Sequence, residues 1–264
     1  MLVIAERINA TRRRIARAFE ERDARLLARE VRRQAQAGAD FIDVNAGSDP
    51  AREVENLSWA VEVVQDCTEL PLCLDSANAD ALRAAVRLVR GEVVMLNSVT
   101  GEREKMARVL PLAAECGARL VALAMDDHGL PETAERRMEV TASLVEAAGQ
   151  HGIPADRLYV DPCIQPVSTS PGQAMEVLSA VFRIMQAFPG VHTTCGLSNI
   201  SFGLPGRALV NRTYLACLIM AGLDSAIVDP TAEGLMDAVR AAEALAGRDE
   251  FCMNYIRAAR EAGV

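Results

Sequence analysis

The sequence predicts a single-domain (β/α)8 (TIM) barrel, and three observations carry the prediction. Eight short apolar runs recur along the 264 residues, long amphipathic stretches separate them, and the runs are continuous rather than alternating. A continuous apolar run fits a strand covered on both faces, the condition of a parallel sheet sheathed in helices. Eight strand and helix units in a chain of this length match the roughly 250 residues that such a barrel uses. Half of the residues are hydrophobic, enough for one substantial core, and no linker or low-complexity tract divides residues 1–264.

Strands are expected at 2–5, 41–44, 71–74, 93–96, 120–124, 158–160, 193–197 and 226–228. The intervening helices are expected at 23–37, 51–67, 78–90, 103–116, 132–150, 172–188, 206–221 and 235–246. Gly38, Gly117 and Gly222 each stand between a helix and the next strand, where the left-handed conformation closes a helix. Residues after about 248 read as a C-terminal helix, with Phe251 and Tyr255 either covering the barrel or meeting another copy. The competing architecture is an open doubly wound sheet. Its glycine-rich phosphate loop is missing, because the chain after the first strand reads Glu6-Arg7-Ile8-Asn9.

The net charge is −8, from 28 basic and 36 acidic residues, and no long basic run stands apart, which argues against nucleic acid as a partner. No stretch approaches the roughly 18–20 uncharged apolar residues of a membrane span. The seven cysteines are odd in number, scattered and without a CxxC pair, so a reduced, cytoplasmic protein is expected.

In a barrel of this kind the C-terminal ends of the strands form the working face. There the sequence places Glu6 and Asn9, Asp43 and Asn45, Asp75 and Ser76, Asn97 and Ser98, Asp126, Asp161, Ser198 and Asn199, and Asp229. Any one of them also reads as a helix cap, Ser98 and Asp229 above all. As a set they read as a pocket rich in carboxylates and amides, with Arg7 and Arg207 its only obvious cations. A carboxylate accepts two N–H bonds side by side and an amide both donates and accepts, so the rim suits the edge of a flat heterocycle such as a pterin or purine.

Other chemistries are less well supported. The only lysine, Lys105, falls inside a predicted helix, which disfavours a Schiff-base mechanism. His128, His151 and His192 lack ligand spacing, and Asp126-Asp127-His128 reads as a surface turn, so no metal ligands are assigned, although carboxylates leave Mg²⁺ open. Cys163 and Cys195 read as buried, inert thiols.

Glu6-Arg7-Ile8-Asn9, Asp43-Val44-Asn45, Cys73-Leu74-Asp75-Ser76, Leu96-Asn97-Ser98, Asp161-Pro162 and the run from Gly196 through Ser198-Asn199-Ile200-Ser201-Phe202-Gly203 to Pro205 resemble the pterin-binding family along essentially the whole chain. Within it the likeness is to methyltetrahydrofolate:corrinoid/iron-sulfur protein methyltransferases and to the folate domain of cobalamin-dependent methionine synthase. The resemblance implies that Asp75, Asn97 and Asp161 hold the pterin ring and that Asn199 bonds its N5. Gly196, Ser198 and Arg207 join the substrate-binding set, the latter two toward the aminobenzoyl and glutamate end. Asn199 and Asp75 are the expected catalytic pair.

It further implies (methyl)tetrahydrofolate as substrate, cobalamin carried by a separate corrinoid protein that docks on the barrel mouth, and a homodimer. Asp126-Asp127-His128-Gly129-Leu130-Pro131 mimics the start of a cobalamin motif, but Pro131 breaks it. The strand-seven lysine and Ser-Thr-Arg-Pro loop of dihydropteroate synthase are absent. The direction of methyl transfer stays open, including tetrahydrofolate methylation in O-demethylase or betaine systems. A non-methyltransferase pterin barrel and a non-catalytic folate carrier stand as the alternatives.

Overall fold

The computed structural model describes residues 1–261 and 263. Its elements run β1 (Leu2–Asn9), α1 (Arg13–Glu21), α2 (Ala24–Gln36), β2 (Phe41–Asn45), α3 (Glu53–Gln65), β3 (Leu72–Asp75), α4 (Ala79–Val86), β4 (Val94–Thr100) and α5 (Arg103–Cys116). The second half continues β5 (Arg119–Leu123), α6 (Ala134–Gln150), β6 (Leu158–Asp161), α7 (Gln173–Ala187), β7 (His192–Thr193), α8 (Arg207–Ala221), β8 (Ser225–Val228), α9 (Leu235–Leu245) and α10 (Met253–Glu261). The eight strands are parallel in the order β7-β6-β5-β4-β3-β2-β1-β8, which is the expected (β/α)8 barrel.

Buried Ile4, Phe41, Cys73, Met95, Val121 and Tyr159, one from each of β1 to β6, fill the barrel interior. A second apolar layer lies between the strands and the helices and includes Leu27, Leu57, Leu82, Leu112 and Leu144. Gly117 and Gly222 close α5 and α8 with φ of 61° and 119°, the left-handed conformation expected from sequence.

Three elements depart from expectation. Helix α1 fills a segment read as loop; its stripe of Ile15, Ala18 and Phe19 is buried at helical spacing, but four arginines among its nine residues and the preceding one, with no side-chain cap, mask the signal. Strand seven, expected over 193–197, pairs only through His192–Thr193, and residues Leu197–Ser201 coil into a 3₁₀ turn. Helix α10 does not cover the barrel: it leans on α9, buries none of its described residues, and leaves Phe251, just before it, 84% exposed.

The barrel therefore closes between β7 and β8 through a seam rather than a ladder. One parallel bridge joins Gly196 to Ile227, whose N–H donates to the Cys195 carbonyl at 2.8 Å. The Ser225 hydroxyl donates to the Thr193 carbonyl at 2.8 Å, and Asp224 accepts the Thr193 N–H at 2.9 Å. Strand bulges interrupt β1 between Ala5 and Ile8 and β4 between Asn97 and Val99. A bulge re-aims side chains locally, and both lie at the rim.

Arg137 of α6 is the largest fully buried side chain. Its Nε donates to the Pro162 carbonyl at 2.6 Å and its Nη2 to Gln173 Oε1 at 2.8 Å, tying α6 to the segment that leaves β6 and to the start of α7. Arg137→Met strands these acceptors away from water, and a stability loss of about 2–4 kcal/mol is expected in urea unfolding. A loss below about 1 kcal/mol would mean that this tie is dispensable.

Candidate active site

The rim is assembled strand by strand. Asn45, Asp75 and Asn97 are register partners on β2, β3 and β4, so their side chains rise side by side, and Asn45 Nδ2 donates to Asp75 Oδ2 at 2.9 Å. One step below, Asn97 Nδ2 approaches Asp43 Oδ1 at 3.4 Å. From β6, Asp161 accepts the Cys163 N–H at 2.7 Å through one oxygen and the Gly196 N–H at 3.2 Å through the other. That second bond draws the chain after β7 inward and explains why strand seven stops early.

The turn after β7 is held from two more directions. The Ser198 hydroxyl donates to Glu6 Oε1 at 2.6 Å, linking the turn to β1. Arg207, at the start of α8, donates to Ser201 Oγ at 2.9 Å and to the Ser198 carbonyl at 2.6 Å. Asn199 projects from this clamped turn, is exposed, and makes no side-chain hydrogen bond among the described residues. A Cβ at Gly196 would sit 3.3 Å from the Asn199 amide nitrogen, so a larger residue there would push on that amide.

Asp75, Asn97, Asp161, Gly196, Ser198, Asn199 and Arg207 thus all lie along one rim. Arg7 does not serve the pocket: its guanidinium donates to Glu30 Oε2 at 2.8 Å and to Asp229 Oδ2 at 2.7 Å. Asp229 caps no helix; it closes a turn onto the Thr231 N–H at 3.0 Å. Helix α5 begins at Glu102 without a side-chain cap, so Ser98 is no cap either. Lys105 lies on α5 and donates to the Ala77 carbonyl at 2.6 Å. The sequence put Glu6, Asp43 and Asn45 in the rim set without giving any of them a role, and it gave no sign of Glu53 of α3, buried beside Ser76 at 2.6 Å. Only strand-end position could have singled out the first three; Glu53 carries no such signal.

Burial sets the electrostatics of the rim. It pushes Asp75 up to about 6 against the Asn45 hydrogen bond, with the Glu53 carboxylate adding to the rise. Burial likewise takes Asp161 up to about 6 despite the two backbone N–H groups that favour its anion. Asp43 is raised well above the usual carboxylate range by burial and by Asp75, and Glu6 is raised by burial. Asp75 and Asp161 can hold or release a proton near pH 6, which suits acid–base work on a heterocycle.

A model of the family described as pterin binding enzyme matches residues 5–229. The chain belongs to that family. Among relatives of this pterin-binding enzyme, the methylcorrinoid:tetrahydrofolate methyltransferase of Eubacterium limosum is 38% identical over 263 residues, 99% of this chain and 97% of that protein. The methionine synthase of Mycobacterium tuberculosis is 30% identical over 241 residues, 86% of this chain but 20% of the longer protein. Dihydropteroate synthase from Xanthomonas albilineans in complex with 7,8-dihydropteroate shares the fold, with a TM-score of 0.69 and 22% identity over 92% of each chain.

The raised Asp75 carries a sign that can be measured. Its folded-state value lies above its ordinary 3.8, so the folded chain retains a proton that the unfolded chain gives up. The associated stability is complete below the ordinary value and is lost as pH rises through about 6. Asp75→Asn keeps an oxygen that accepts from Asn45 and removes the buried charge. It is expected to exceed the wild type by about 1–3 kcal/mol at pH 8, an advantage that vanishes below about pH 4. Thermal or urea unfolding across pH checks this, and a pH-independent difference would contradict it.

Proposed function

We propose that this pterin-binding enzyme is a methyltransferase moving a methyl group between N5 of tetrahydrofolate and the cobalt of a separate corrinoid protein. The observation that carries the reading is Asn199: an amide without a side-chain hydrogen bond among the described residues, on a turn fixed by Glu6, Asp161 and Arg207, beside Asp75 and Asp161 with values of about 6. The relative matched over its whole length is named as a methylcorrinoid:tetrahydrofolate methyltransferase, which supports transfer toward the folate.

In that direction the N5 lone pair takes the methyl carbon as the cobalt–carbon bond breaks and its electron pair stays on cobalt. The proton on N5 must leave. Asp75, poised at about 6, accepts it directly or through water, and returns it when the reaction runs backwards. Asn199 bonds N5 and tightens that bond as charge changes on the nitrogen, where binding lowers a barrier. Asp75, Asn97 and Asp161 take the amino and lactam edge of the pterin, Gly196 leaves room beside Asn199, and Ser198 and Arg207 face the aminobenzoyl end.

Dihydropteroate synthesis is disfavoured by Lys105, the single lysine, which sits on an outer helix rather than on β7. The corrinoid protein must reach the mouth, so we place its docking there. The exposed Phe251, Met253 and Tyr255 support a homodimer contact, and seven unpaired cysteines support a reducing, cytoplasmic setting. No described helix is long and apolar enough to cross a membrane.

A spectroscopic assay following methyl-corrinoid and tetrahydrofolate in both directions tests the activity. Asn199→Ala should slow transfer roughly 10²-fold, the usual size for one oriented donor, with a smaller loss of folate affinity. Unchanged turnover would remove the role assigned to it. Asp161→Ala should weaken tetrahydrofolate binding by about tenfold or more in titration calorimetry, and wild-type affinity would argue against ring recognition there.

A further inference from the structure

At the end of the barrel away from the rim lies a groove of about 510 Å³ that the chemistry above does not use. One side of its wall is apolar, built from Phe41, Leu70, Pro71, Leu72 and Val93, which lie at or just before the N-terminal ends of β2, β3 and β4, and the other side is polar, with Gln65 and Thr68. Its size falls within the range of small-molecule sites, roughly 300–1,000 Å³.

Four charged side chains line it, Glu69, Arg90, Glu92 and Arg119, and Arg119 is the one that lies against the apolar wall. Arg119, the first residue of β5, reaches across the barrel floor, its guanidinium carbon 5.4 Å from the Phe41 ring centre and 5.9 Å from that of Tyr159. Among the described residues it makes no side-chain hydrogen bond and no ion pair, and it is only half-buried. The contrast with other enclosed arginines is plain. Arg7 has two carboxylates and Arg137 two carbonyls and an amide. Arg90, also in the groove, is paired with Asp66 at 2.7 Å. Glu69 and Glu92 stand exposed on the lip and pair with neither arginine.

A guanidinium carries five N–H donors in one plane, and ring faces satisfy its charge but not those donors. We propose that this groove binds a small organic carboxylate with a flat apolar body, its carboxylate on Arg119 and its body along Phe41, Leu70 and Leu72. An unpaired guanidinium suits the planar pairing with a carboxylate, and Phe41, Leu70 and Leu72 offer the body an apolar face. The site lies at the opposite end of the barrel from the folate edge, so the two ligands bind without competing.

Calorimetry at fixed ionic strength, with benzoate and its neutral analogue benzamide as probes, tests this. Benzoate should bind saturably and at least about tenfold more tightly than benzamide, the lower end expected for a hydrogen-bonded charge. Arg119→Gln should bring benzoate down to the benzamide level, and saturating tetrahydrofolate should leave benzoate binding unchanged. Val93→Trp adds a bulky ring at the exposed lip of the groove and should abolish binding in a chain that melts like the wild type. Equal binding of the two probes, no saturable binding, displacement by tetrahydrofolate, or full binding to Val93→Trp would each overturn the proposal.

Discussion

Keeping the carboxyls of Glu6, Asp43, Asp75 and Asp161 buried together at one rim is the constraint from which the rest of that face follows. Asp161 resolves it with two backbone N–H groups, and one of those, from Gly196, belongs to what would otherwise be strand seven. The strand gives up its ladder there, the chain coils into a 3₁₀ turn, and Asn199 is carried to the mouth. Glu6 uses the same turn, through Ser198, to satisfy an oxygen of its own. The shape of the site and the solvation of its carboxyls are one problem with one solution.

That solution is held in place by the rest of the molecule. Raised carboxyls weaken the folded state at neutral pH, and a barrel filled by Ile4, Met95 and Val121 and sheathed by a continuous apolar layer offsets the loss. Arg137 braces the segment after β6 from behind, and Arg7 joins α2 to the end of β8, so the seam beside the mouth is tied on both sides. The local rules broken at the rim, with buried acids and a strand cut short, are broken where we propose the chemistry.

The shared architecture does not carry a shared reaction. Dihydropteroate synthase superposes on this chain with the same barrel at 22% identity, and the difference lies in which side chains the strand ends deliver. Lysine is the sharpest case. Lys105 stands on α5, where it donates to the Ala77 carbonyl, and not on β7.

Periodicity alone determined the barrel. Continuous apolar runs, glycine stops at 117 and 222 and strand-end acids are local patterns, and local patterns survive folding because backbone hydrogen bonding and burial read them directly. The rim was legible as a set of strand ends, and the family likeness named its members. Sequence could not show that Arg7 would turn away to Glu30 and Asp229, that α1 would form beneath its arginines, that α10 would lie open, or that Glu53 would come up beneath Ser76. Nor could it show strand seven breaking at Thr193. Those outcomes rest on contacts such as Glu6 with Ser198, 192 positions apart, and Asp161 with Gly196. Such pairs leave no periodic trace, because they are fixed by where closure of the barrel places each oxygen and N–H, and only the folded chain decides that.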